Sequence, residues 1–108
     1  MSNEIADQSA PTSTSTFATA EHFAFVAARS PQAQEALETL EGLYPSKSPA
    51  DADVIVALGG DGFMLQTIHK FMAGGKPIYG MNRGSVGFMM NPFSTDNLFD
   101  RIRRAESA

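Results

Sequence analysis

The stretch Val54-Ile55-Val56-Ala57-Leu58-Gly59-Gly60-Asp61-Gly62 decides the fold. Its apolar half reads as a buried strand, and its second half as a glycine turn with one carboxylate at the crest. Glycines in such a turn are expected to take positive φ and to let a polyanion approach bare peptide N–H groups. Phe63-Met64-Leu65-Gln66-Thr67-Ile68-His69-Lys70-Phe71-Met72-Ala73 follows, with apolar residues at 64, 68, 71 and 72, the spacing of one helix face. The unit is strand, glycine turn, helix, and the helix N-terminus offers free N–H groups and a positive dipole end to phosphate. Asp61 is an odd choice for holding phosphate, which points to chemistry. The plain alternative is that Asp61 is an N-cap.

Neither common nucleotide fingerprint is present. The turn lacks the Lys and Ser/Thr of a P-loop, and GxGxxG occurs nowhere in the chain. A second segment adds weight. Gly74-Gly75-Lys76-Pro77 stops the helix, and Ile78-Tyr79-Gly80-Met81 reads as a short strand running into Asn82-Arg83-Gly84-Ser85-Val86-Gly87-Phe88-Met89. In a parallel α/β sheet the carboxyl ends of neighbouring strands open onto one crevice, so both glycine-rich loops face one ligand.

Asp53 to Gly62, followed by Gly80-Met81-Asn82-Arg83-Gly84-Ser85-Val86-Gly87-Phe88, resembles the amino-terminal domain of bacterial NAD kinases. GGDG alone is shared with diacylglycerol-type lipid kinases; the Asn-Arg-Gly-x-x-Gly-Phe segment separates the NAD kinases from them. The likeness covers roughly residues 22 to 104, with departures at Phe63, where Thr is common, and at Met89-Met90-Asn91. It implies a Rossmann-like parallel β-α-β sandwich at 21–108; residues 1–20, rich in Ser, Thr, Ala and Asn, read from composition as a disordered tail. It also implies a C-terminal β domain, bearing an Asn-Glu or Asn-Asp pair and a Gly-Ser-Thr segment, that these 108 residues do not contain.

The implied reaction is transfer of the ATP γ-phosphoryl group to the 2′-hydroxyl of the adenosine ribose of NAD. Asp61 would be the base, and Gly59, Gly60, Asp61, Gly62, Leu65, Asn82, Arg83, Gly87 and Phe88 would bind nucleotide. No protein metal site is expected, since Mg²⁺ would arrive on ATP. The resemblance also implies a homo-oligomer for the complete enzyme. From the residues alone, Leu65 and Val86 can be cleft or core, Arg83 can pair with phosphate or anchor its loop, and Phe88 can pack on a base or lie under the loop. A lipid kinase domain, or a nucleotide-binding fragment without turnover, remains an alternative.

Composition bounds the rest. One small domain of this length buries roughly two-thirds of its unfolded surface. Cysteine is absent, which excludes disulfides and thiolate metal sites and fits a reducing, cytoplasmic setting. Residues 1–61 carry two basic and nine acidic side chains, whereas 62–108 carry six and three. That mild positive bias suits an anionic nucleotide and is too weak for nucleic acid. No apolar run is long enough for a membrane span.

Elsewhere, Phe23-Ala24-Phe25-Val26-Ala27-Ala28 predicts a first strand, and Ser30-Pro31 a capped helix start. In that helix Ala33, Ala36, Leu37, Leu40, Leu43 and Tyr44 fall on one face, with Glu35, Glu38 and Glu41 opposite as a solvated face, and Pro45 ends it. Beyond residue 91, Ser94 is expected to cap a last helix, with Phe93 stapled on Leu98 and Leu98, Phe99 and Ile102 buried. Three strands in parallel with right-handed crossovers follow from this order.

Overall fold

The structure, a computed structural model, describes residue 17, residues 20–84 and residues 90–105. Its elements are β1 (Phe23–Ala27), α1 (Pro31–Leu43), β2 (Val54–Leu58), α2 (Asp61–Phe71), β3 (Ile78–Asn82), β4 (Asn91–Pro92) and α3 (Leu98–Arg103), with a 3₁₀ turn over Met72–Gly74. The strands lie side by side in chain order, all parallel. Phe23 faces Val54, Ile55 faces Ile78, and Met81 faces Asn91. The expected three-stranded unit thus gains a fourth strand. Two residues, one of them a proline confined to an edge, carry no period that a sequence can show.

Successive strand residues point to opposite faces, and here each face has its own helices. Phe23, Phe25, Val54, Val56, Leu58, Tyr79 and Met81 pack with Ala36 and Leu40 of α1 and with Leu98 and Ile102 of α3. Ala24, Ile55, Ala57, Val26 and Ile78 pack instead against α2, through Met64, Ile68 and Phe71. Every residue of β2 is buried, as its unbroken apolar run requires.

This arrangement corrects the expected handedness. Strands β1, β2 and β3 advance in one direction across the sheet, yet α1 and α2 cover opposite faces. The two crossovers therefore have opposite hands, and one departs from the right-handed rule. Coverage of both faces is the compensating gain: two helices on one face would leave the other apolar side of β2 in water.

Local signals account for most helix ends. Ser30 Oγ accepts from Ala33 N at 3.3 Å, with Pro31 at the first helical position. Tyr44 is extended, as the residue before Pro45 must be. Gly75, at φ 66°, reverses the chain after α2.

Residue 94 is the exception. The N-cap of α3 is Asn97, at φ 48°, and it makes no side-chain cap bond. Ser94 Oγ accepts from Asp96 N at 3.3 Å, closing a local turn instead. The capping acceptor comes from far away: Leu98 N donates to the Tyr44 hydroxyl at 3.3 Å, and that hydroxyl donates to Thr95 O. Phe99 stacks on Phe23 with ring centroids 3.9 Å apart, which docks α3 on the sheet.

Two residues inside the segment read as a tail pack on the core. Phe17 sets its ring edge-on to Tyr79, and Ala20 is buried. The rest of residues 1–19 lies outside the described residues.

Candidate functional site

The parallel pairing of β2 with β3 brings both predicted loops to one sheet edge. Leu58 sits opposite Met81, and Gly59 N donates to Met81 O at 3.0 Å. Gly59, Gly60, Asp61 and Gly62 thus stand beside Asn82 and Arg83. Gly87 and Phe88, with Val86, lie outside the described residues.

Asp61 is the first residue of α2. Met64 N donates to Gly60 O at 3.0 Å, so Gly60 holds the cap position and the N-cap alternative for Asp61 does not describe this turn. The carboxylate is placed where a helix dipole favours negative charge. Its Oδ1 is nonetheless shielded from solvent with no hydrogen-bond partner among the described residues. A buried polar oxygen left unmatched costs about 1–3 kcal/mol. Asp61 Oδ1 is the single such side-chain atom among the described residues.

The glycines act through space, not through left-handed backbone. Gly75 is the one described glycine at positive φ, which corrects the expectation for Gly59, Gly60 and Gly62. A Cβ on Gly59 would stand 3.0 Å from Phe63 Cβ and 3.1 Å from Ala28 Cβ, so Gly59 lets the helix start close against β1. A Cβ on Gly60 or Gly62 would meet nothing within 4 Å among the described residues. Those two leave an open approach to the helix N-terminus.

Arg83 is engaged at its loop. Its Nη1 donates to Glu35 Oε1 of α1 at 3.3 Å, and its guanidinium lies 5.5 Å from the Phe93 ring centroid. The pair is exposed. It also gives Glu35, read as solvated, a partner. The segment after β3 therefore starts against α1 and returns at Met90 on the α2 face. There Gly80 makes room: a Cβ would stand 2.7 Å from Met90 Sδ and 3.1 Å from Met64 Sδ. Leu65, one turn beyond Asp61 and on the same helix flank, is half exposed, so it is not core.

Sequence reading missed the opposite flank of α2. Phe63, Gln66, Thr67 and Lys70 face Ala27, Ala28 and Arg29 across an open groove of about 650 Å³. The spacing i, i+3, i+4, i+7 within α2 was available as a signal. Nothing local says that β1 lies opposite.

An open parallel sheet with a glycine turn and a helix N-terminus at its carboxyl edge makes this an α/β module of the doubly covered kind. The comparisons agree. Residues 5–106 match the ATP-NAD kinase N-terminal domain family, and the chain belongs to it. It is 58% identical over 83 residues to the NAD kinase of Rhizobium meliloti (strain 1021), covering 77% of this chain and 32% of that protein. Against the NAD kinase of Caulobacter vibrioides it is 56% identical over 85 residues, covering 79% and 33%. The NAD kinase of Xylella fastidiosa (strain 9a5c) is 51% identical over 89 residues, covering 82% and 34%. The chain spans about a third of the length of these curated relatives. Among the described residues no helix is long and apolar enough to cross a membrane.

Proposed function

We propose that this domain carries the phosphoryl-transfer edge of a NAD kinase, moving the γ-phosphoryl group of ATP to the 2′-hydroxyl of the adenosine ribose of NAD. The observation that carries the reading is the unpartnered Asp61 Oδ1 at the start of α2, beside two glycines with open space around them. A ribose hydroxyl donating to that oxygen removes the cost of burial and is held by the group that takes its proton. As the 2′-oxygen forms its bond to the γ-phosphorus, the bond from phosphorus to the β,γ-bridging oxygen breaks and ADP leaves. The hydroxyl proton passes to the Asp61 carboxylate and from there to water.

Backbone N–H groups at Gly60 and Gly62 would meet the equatorial phosphate oxygens, where donors stabilise developing charge. Mg²⁺ is part of the substrate here, travelling as the ATP chelate on phosphate oxygens and water. The cysteine-free composition supports a reducing cytoplasmic setting for this chemistry.

The test is NADP formation by the full-length protein and its Asp61→Asn variant. Asn keeps size and loses basicity, so kcat should fall about 10²- to 10⁴-fold. A variant with near-normal kcat overturns the assignment.

A further inference from the structure

We propose that the groove between β1 and α2 holds the adenosine of the phosphoryl donor, whose phosphates pass over Gly60 and Gly62 to reach Asp61. The acceptor nucleotide is left the other flank of α2. This rests on the kinase reading above and assigns the two substrates to sides of one helix.

The groove has the chemistry for such a ligand. Its lining includes Phe63 and Phe71 with Ala28 and Gln66. Aromatic and apolar surface with a few polar groups suits a base. Two cations line it, Arg29 and Lys70, and neither pairs with a carboxylate among the described residues. Lys70 Nζ lies 5.6 Å from the Phe71 ring centroid, so its charge is held over the groove. The volume, about 650 Å³, is that of a nucleotide-sized site. An aromatic base joined to a polyanion satisfies both the rings and the cations.

The groove is also connected to the turn. Gly59 lacks the Cβ that would strike Phe63 and Ala28, and those two residues form the groove's end nearest the turn. Beyond it, Gly60 and Gly62 leave open space. At 100° per residue, Phe63, Gln66 and Lys70 fall on the side of α2 opposite Asp61 and Leu65. The latter flank is the one nearer β3, since Met64 and Ile68, next to it, pack toward Ile78 and Met90. In-line transfer needs donor and acceptor on opposite sides of the γ-phosphorus. A donor entering from the β1 side and an acceptor from the β3 side supply that at the helix N-terminus.

The experiment uses the full-length protein and calorimetric titration with ATP and with NAD separately. Lys70→Glu should weaken ATP about tenfold or more while NAD affinity stays within about twofold, and Lys70→Arg should restore ATP binding to near wild type. Gln66→Glu, also exposed and on the same wall, should act in the same direction; it serves if Lys70→Glu lowers the melting temperature. Unchanged ATP affinity in both variants overturns the groove assignment. A loss falling on NAD instead overturns the division of sides. If ATP affinity is unmoved while Asp61→Asn still abolishes turnover, the groove is wrong and the kinase reading stands. If the wild-type protein makes no NADP, the kinase reading fails first.

Discussion

Two aspartates bracket β2, and the molecule treats them in opposite ways. At the amino end, Asp53 Oδ2 accepts from the backbone N–H groups of Glu21 and His22 at 3.0 Å each, with the His22 imidazole 3.4 Å away. At the carboxyl end, Asp61 Oδ1 accepts nothing among the described residues. The whole amino edge follows the first pattern: Lys76 Nζ donates to Pro49 O at 2.6 Å and Ala50 O at 2.8 Å. One edge of the sheet has its polar groups matched within the fold. The other holds a polar oxygen with no match among the described residues.

The largest effect that tests this contrast is the one on Asp61. The same Asp61→Asn change that costs about 10²- to 10⁴-fold in kcat should leave the melting temperature of the ligand-free protein unchanged or raised, because Oδ1 makes no hydrogen bond among the described residues that could be lost. A lowered melting temperature would mean that the carboxylate is held within the fold after all, and the contrast would fail.

Next come the paired glycines. Gly60→Ala should alter stability by less than about 1 kcal/mol, the scale of a helix cap. Its methyl group stands in the phosphate path, and ATP affinity should drop about tenfold in titration. Gly59→Ala should do the reverse. Its Cβ would press on Phe63 and Ala28, destabilising by about 1–3 kcal/mol in denaturant unfolding. If both variants weaken binding equally with no loss of stability, the division of labour within the turn is wrong.

The smallest effect belongs to Asp53. The Glu21 N–H foremost, with the N–H and imidazole of His22, outweighs partial burial and holds its carboxyl below the ordinary value of 3.8. A depressed folded pKa contributes stability above the unfolded value and loses it as pH falls through the folded one. Both side chains of the pair are about half exposed, so solvent screening limits the contribution to under about 1 kcal/mol. The stability gap between wild type and Asp53→Asn, followed by urea unfolding, should be widest near neutral pH and close below about pH 3.8. A gap that persists in acid would show that the carboxylate's charge is not what ties residues 21 and 22 down.

What could be read from the chain divides along physical lines. β1, β2, β3, α1 and α2 were legible because each depends on period and punctuation within about a dozen residues: Ser30-Pro31, Pro45, Gly75. Asp61 was legible as a candidate because a carboxylate in a glycine turn conflicts with phosphate binding on local grounds alone. β4, the opposed crossovers and the cap of α3 were not, since each is decided by residues far apart. Ser94 looked like a cap by type, yet the Leu98 N–H is met by Tyr44, 54 positions away in the chain. The groove at Arg29 and Lys70 was hidden for the same reason: α2 shows one wall, and only packing supplies the other. Gly59 was noticed for the wrong cause, its role being room for Phe63 rather than a left-handed turn.

The Tyr44 hydroxyl has a kinetic meaning as well. It joins the end of α1 to Thr95 and Leu98 across 51 and 54 positions. Closing such a span is entropically unfavourable until the intervening strands have paired. α3 is six residues long, too short to persist unaided in water. Its docking is therefore a late event that reports on the sheet beneath it: α3 records that β1, β2 and β3 have already assembled, and its amides should be the first in this layer to exchange with solvent when the domain begins to open.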